Sequence, residues 1–146
     1  MTRRSSLALV AAAALLAACR GKPSELEAVE FGVLFGGDIQ DRETIPLELD
    51  PARQELAVRV TFREPVRVER VVKWELERPT TKRGPDAGLL YAAELGELRA
   101  RPGERRAESK LKLRAGDLPG TWRVRVRVDG EIVLERSFRV SAAEAR

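Results

Sequence analysis

The sequence contains no histidine and only one cysteine, and these absences narrow the available chemistry. Without histidine there is no Ser–His or Cys–His nucleophile pair, no His-ligated zinc and no ordinary base near neutral pH. With Cys19 alone, an internal disulfide is impossible. Carboxylates remain, but no spacing between them indicates the two acids that glycoside hydrolysis requires. We therefore expect neither an enzyme nor a cofactor.

Long apolar runs are also absent, apart from one near the start. Leu7 to Ala18 forms an apolar run of twelve residues behind Arg3 and Arg4. A membrane-spanning helix needs roughly 20 apolar residues, so this run is too short to be one. A basic start, a short apolar run and small residues at its end are typical of a secretory signal peptide. The sequence predicts that residues 1–18 are such a signal.

The end of this run, Leu16-Ala17-Ala18-Cys19, resembles the lipobox of bacterial lipoproteins. The resemblance implies cleavage before Cys19 and acylation of its sulfur, often followed by acylation of the new amino group. Two or three acyl chains give lasting attachment, whereas one binds only marginally. The next residue is Arg20; in enterobacterial lipoproteins an Asp at that place retains the protein in the inner membrane. We therefore expect a lipid-anchored protein of the cell envelope, with the outer membrane favoured over the inner.

The remaining chain has the length of one domain and a nearly balanced charge. Of the 27 basic residues, removal of Arg3 and Arg4 leaves 25 against 23 acidic ones. This balance gives no strong field for nucleic acid, which we do not expect as a partner. We predict a lipidated cysteine and short polar tether over 19–27, a folded domain over 28–141 and a tail over 142–146.

From Val29 onward, apolar residues recur at every second position, the pattern of half-buried strands. Turn signals such as Gly36-Gly37-Asp38 and Asp129-Gly130 separate the runs. We predict an all-β fold, an antiparallel sandwich of about seven strands. Trp74 and Trp122 are in phase with their apolar neighbours, so we expect both in the core.

Segment 89–100 favours two structures. Its Ala, Leu and Glu content favours a short helix, with Leu90, Glu94 and Leu98 at helical spacing. Neighbouring strands would equally allow it to pair as a strand. Both alternatives stay open, and Tyr91 within it is the aromatic residue that we expect at the surface, available to a partner.

For the last hairpin we predict a three-residue loop, Val128 to Gly130, with Gly130 in a left-handed bulge position. This register keeps acidic residues off the core face. The predicted pairs are Val126 with Ile132, Val124 with Leu134, Arg127 with Glu131, and Arg123 with Glu135.

Residues 117–140, with their tight turn, aromatic residue and alternating valines, resemble the closing hairpin of bacterial immunoglobulin-like and fibronectin-III-like modules. The resemblance implies a sandwich with Greek-key connections and a tryptophan on a central strand, a place that Trp74 could fill. It carries no catalytic residues over to this chain.

Two clusters are candidate binding sites. Asp38, Asp41 and Glu43 could offer oxygen ligands to Ca²⁺, although their spacing lacks the order of a calcium loop and a solvated loop is the simpler interpretation. The stripe Arg123, Arg125 and Arg127 could meet anionic headgroups, lipopolysaccharide or an acidic partner. Its simpler interpretation is an outward strand face paired with acidic residues. Lys110, Lys112 and Arg114 form a second stripe, which we expect in the other sheet.

These observations predict a non-catalytic module that offers strand edges or loops to an envelope protein. The alternative is a binding protein for a small ligand, glycan or metal, with a concave site around residues 36–44 and 79–88.

Overall fold

A computed structural model describes residues 25–47, 54–83, 88–114 and 116–142. Every regular element in these ranges is a strand. The nine strands are β1 (Leu26–Phe35), β2 (Asp38–Gln40), β3 (Thr44–Pro46), β4 (Glu55–Phe62), β5 (Arg70–Arg83), β6 (Leu89–Ala100), β7 (Arg106–Lys112), β8 (Gly120–Val128) and β9 (Glu131–Ser141).

The strands form two sheets that pack face to face, which confirms the predicted all-β sandwich. The four-stranded sheet has the order β2-β1-β4-β7, and the five-stranded sheet has the order β3-β9-β8-β5-β6. All pairs are antiparallel except β3 with β9, which is parallel. The count exceeds the predicted seven because β2 and β3 are pieces of three residues each. β7 carries Lys110 and Lys112 in the four-stranded sheet, apart from the arginine stripe of β8, as expected.

The core lies between the sheets and is filled by the apolar residues at alternate positions of their strands. Trp122 is fully buried and Trp74 is 7% exposed, which confirms both predictions. The Phe138 ring lies 5.0 Å from that of Phe31 and 6.0 Å from that of Trp122. Both sheets and the core that they share are supplied by residues within 25–142.

Segment 89–100 is a strand, so the helical alternative was wrong. β6 pairs with β5 along most of its length, with Trp74 opposite Gly96 and Val72 opposite Leu98. Leu98 and Ala100 are buried between the sheets. Pairing with a long neighbouring strand and burial of these side chains outweigh the helical propensity of Ala, Leu and Glu.

The predicted three-residue loop in the last hairpin was also wrong. Asp129 and Gly130 have φ values of 51° and 81°, the left-handed geometry of a two-residue type I′ turn. Val128 therefore faces Glu131, but a register shift beyond Val126 places Val126 opposite Leu134. The bulge adds one residue to the register, so that the apolar side chains of β8 and β9 again lie on the same, core-facing side of the sheet. The predicted longer loop would have had the same effect.

The first strand begins earlier than the predicted domain start at residue 28. Leu26, inside the predicted tether 19–27, is fully buried in β1. The predicted signal peptide, Cys19 and residues 143–146 lie outside the described residues. Among the residues that the structure describes, no helix is long and apolar enough to cross a membrane.

Candidate functional site

The outer face of the five-stranded sheet carries alternating rows of acidic and basic side chains. Arg123 donates to Glu77 through Nε and Nη2, at 3.0 and 2.6 Å. Arg125 donates to Glu75 and Glu77 at 3.0 Å and to Glu135 at 2.7 Å. We call the set Glu75, Glu77, Arg123, Arg125, Arg127 and Glu135 the ion-pair ladder.

The ladder balances the charge of the predicted arginine stripe. The hydrogen bond from Arg123 holds the pKa of the Glu77 carboxyl below its usual range. The hydrogen bond to Glu135 raises the pKa of Arg125. Arg127 reaches Glu75 at 3.7 Å. The structure thus brings the three arginines together, with a carboxylate beside each on the same sheet.

Glu135 pairs with Arg125, and not with Arg123 as predicted. The register places Arg125 opposite Glu135 and Arg123 opposite Ser137. The two-residue turn and the bulge beyond Val126 each shift β9 by one residue relative to the predicted register, and together they change the ion-pair partners.

The structure gives Asp38, Asp41 and Glu43 separate surroundings. Asp38 is exposed in β2, opposite Phe35 of β1. The Asp41 carboxylate pairs with Arg136, and the backbone carbonyl of Glu43 accepts a bond of 2.8 Å from the Arg139 amide. Within the described part of the chain, no group of three or more acidic, cysteine or histidine side chains is arranged to hold a metal ion.

The most distinctive surface is the outer strand of the five-stranded sheet, which we call the β6 edge (Leu89–Ala100). β5 pairs with one side of β6, and no described strand pairs with the other side. Leu95 is 73% exposed, Tyr91 is 55% exposed and Leu90 is 44% exposed. Tyr91 is therefore at the surface, as predicted. An unpaired strand with apolar side chains is a template for addition of another strand.

A buried cation anchors this edge from beneath. Arg78 of β5 points inward, where its Nη1 donates to both carboxylate oxygens of Asp117 at 3.0 and 3.1 Å. Its Nη2 pairs with Glu94 of β6, and its guanidinium lies 5.0 Å from the centre of the Trp122 ring. Arg114 pairs with the other oxygen of Glu94 at 3.0 Å. The inward carboxylate of the edge strand is thus neutralised from two sides.

A second contact fixes the middle of the β6 edge. The Trp74 indole covers Gly96, where no side chain would fit, and its Nε1 donates to Ser109 Oγ at 3.2 Å. The edge strand is therefore held by packing as well as by its pairing with β5. A strand held in place in advance loses little conformational entropy when another strand pairs with it.

Sequence reasoning missed Arg78 and Leu95. Arg78 is in phase with Val72, Trp74 and Leu76, so the alternation already placed it inside. Its partner Asp117 lies far away in the sequence, between β7 and β8. Leu95 shares a face with Tyr91, but only the strand assignment of segment 89–100 puts both side chains on the outer surface.

No protein-family model and no curated protein matches the chain. Among solved structures, an immunoglobulin-like protein of Pseudomonas aeruginosa is similar over 77% of this chain and 91% of that chain, with 18% identity and a TM-score of 0.51. The domain has an immunoglobulin-like fold. A β-glucosidase of Listeria innocua in complex with gluconolactone is 17% identical, with a TM-score of 0.44, over 79% of this chain and 16% of that one. This partial likeness says nothing about activity, and one fold hosts many functions.

Proposed function

We propose that this chain is a lipid-anchored protein of the bacterial envelope that acts as a non-catalytic interaction module. Export through residues 1–18 and acylation of Cys19 attach it to a membrane, the outer membrane being favoured. The immunoglobulin-like domain then presents the β6 edge to an envelope protein. The lipobox pattern supports the anchor, and the exposed β6 edge supports the interaction.

The β6 edge carries the interaction proposal because it combines free backbone with apolar side chains. A strand added to a sheet gains main-chain hydrogen bonds, and alternate side chains supply specificity. One face of β6 carries Tyr91, Ala93 and Leu95. On β5, Tyr91 lies opposite Pro79, Ala93 opposite Glu77, and Leu95 opposite Glu75. Because the ion-pair ladder already engages both glutamates, a partner strand would meet an apolar surface. The partner is therefore an extended segment with apolar residues at alternate positions.

The proposal is tested by photo-crosslinking in intact cells. A photoreactive phenylalanine analogue replaces Tyr91 in one variant and Leu95 in another. The matched control is Ser137, an exposed position on β9 of the same sheet. It pairs with Arg123 of β8, and the pairing of β9 with β3 begins two residues later at Arg139. We expect one discrete envelope protein to be captured from positions 91 and 95 and not from 137.

A Leu95→Lys variant with the crosslinker at position 91 gives a second readout. Because Leu95 is exposed, this substitution should change the free energy of unfolding by no more than about 0.5 kcal/mol. Capture should nevertheless fall several-fold. Equal capture from positions 91, 95 and 137, or no capture from any of them, would refute the interaction proposal.

A further inference from the structure

We propose that the end of the sandwich that carries the start of β1 is a membrane-contacting surface for anionic lipid headgroups. This inference rests on the proposed lipid anchor at Cys19. The surface is formed by the loops 63–69 and 101–105, beside Glu25, and we call it the basal surface.

These loops meet at one end of the domain because of the strand registers. Leu26 of β1 lies opposite Phe62 at the end of β4, and Arg70 at the start of β5 lies opposite Ala100 at the end of β6. The loops that follow β4 and β6 must therefore lie beside the residue where β1 begins.

Hydrogen bonds join the two loops into one unit. The Val66 amide donates to the Glu104 carbonyl at 2.9 Å, and the Gly103 amide donates to the Val66 carbonyl at 2.8 Å. Arg70 binds both carboxylate oxygens of Glu25 at 2.7 Å, and the same nitrogen that binds Glu25 Oε1 also binds Asp129 Oδ2 at 2.7 Å. Glu25, directly before β1, is thus linked through Arg70 to the start of β5 and to the last hairpin.

The basal surface combines an exposed apolar tip with unpaired cations. Val68 is 66% exposed. Arg63, Arg67 and Arg101 are exposed, and none of their side chains forms an ion pair with another described residue. A cavity of about 470 Å³ opens between loop 63–68 and the ends of β1 and β5. An apolar side chain between arginines suits the boundary between acyl chains and phosphate headgroups.

Three acidic residues of this end accept hydrogen bonds from neighbouring groups. Glu25 pairs with Arg70, and Glu69 pairs with Arg99 at 2.8 Å. Glu104 accepts a bond of 2.9 Å from the Arg101 amide. Glu64 and Glu104 remain as exposed carboxylates that form no ion pair with another described residue. The tether residues Arg20 and Lys22 add two positive charges next to this surface in the sequence.

The length of the tether identifies the occupant as the membrane. Six residue steps separate Cys19 from Glu25, and a fully extended chain spans at most about 3.6 Å per step, so the separation is at most about 22 Å. A lipid on Cys19 therefore keeps the basal surface near the headgroups. Phe35 is at the other end of β1. At roughly 3.3 Å per strand residue, it lies about 30 Å further from the membrane than the start of β1 does.

The test measures the depth of a single introduced tryptophan in a membrane. The protein used is the purified chain from Cys19 onward, which contains every described strand. Its only cysteine is coupled to a maleimide lipid. The vesicles that carry this lipid consist of phosphatidylglycerol and brominated phosphatidylcholine. Val68→Trp is compared with the matched control Phe35→Trp, which is 71% exposed at the opposite end. The uncoupled variants and the parent protein, with Trp74 and Trp122 alone, set the baseline.

We expect bromine to quench V68W fluorescence at least twofold more than F35W fluorescence. Adding Arg63→Glu and Arg67→Glu should remove most of this difference. Equal quenching of V68W and F35W, or none in either, would overturn the proposal. Because the coupling is chemical, this result does not depend on whether cells acylate Cys19, so a failed anchor and a failed basal surface give different outcomes.

Discussion

Arg78 makes the contacts whose loss should cost the domain most. The side chains of Arg78 and Asp117 are each only 8% exposed. Removal of one partner from a buried ion pair leaves a charge without compensation. We expect Arg78→Ala to lower the free energy of unfolding by about 3–5 kcal/mol, measured by chemical denaturation.

Arg99→Ala is the matched control for this prediction. Arg99 and Glu69 form an ion pair whose side chains are 55% and 48% exposed. Exposed pairs of this kind contribute little to stability, because solvent and salt screen them. We therefore expect R99A to lower the free energy of unfolding far less than R78A. Equal losses from both substitutions would mean that the buried contacts of Arg78 do not stabilise the domain.

Gly96 offers a second test at the level of one residue. A Cβ atom at this position would overlap the Trp74 indole ring, whereas a Cβ at Gly88 would meet nothing within 4 Å. We expect Gly96→Ala to lower the free energy of unfolding by about 1–3 kcal/mol, since overpacking displaces side chains and backbone. Gly88→Ala should leave the free energy of unfolding nearly unchanged. If G88A lowered it as much as G96A does, overlap with the Trp74 ring would not explain the effect of G96A.

Among the elements, β6 shows why local sequence was insufficient. Its composition favours helix as much as strand, and only pairing with β5 and burial of Leu98 decide the outcome. The last hairpin gives the same lesson. The alternating valines of β8 predicted their core face correctly, but a bulge in the register leaves no local signal and cannot be placed from alternation.

The ion-pair ladder should make the stability of its sheet sensitive to acid. The hydrogen bond from Arg123 to Glu77 lowers the pKa of the Glu77 carboxyl in the folded protein. Glu77 therefore contributes stability above its unfolded pKa, about 4.3 for a glutamate, and this contribution is lost as pH falls through the lower folded value. Glutamine does not titrate, so the free energy of unfolding of the Glu77→Gln variant should fall less between neutral and acidic pH than that of the parent protein.

Denaturant titrations between pH 6 and 2.5 measure this effect. Glu131→Gln is the control, because Glu131 is exposed and has no ion pair among the described residues. It should follow the parent protein across this range. An E77Q profile identical to that of the parent would show that the ladder does not link stability to pH.

For the molecule as a whole, the two proposed surfaces lie at different places on one sandwich. The β6 edge runs along the side of the five-stranded sheet, whereas the basal surface is at the end nearest Cys19 in sequence. The proposed anchor would hold the domain at this end and leave the β6 edge open to the proposed partner. The alternating pattern was enough to predict the sandwich and the burial of both tryptophans, but the two surfaces depend on register and loop contacts.

Metabolic labelling with a palmitate analogue tests the proposed lipid anchor at Cys19. The full-length chain and its Cys19→Ala variant are produced in the same bacterium, and the label and membrane fraction of each are measured. We predict that the parent chain is labelled, is cleaved to remove the signal peptide and stays in the membrane fraction. The C19A variant should be unlabelled and should not be cleaved before residue 19. An unlabelled parent chain that leaves the membrane fraction after processing would rule out the lipid anchor.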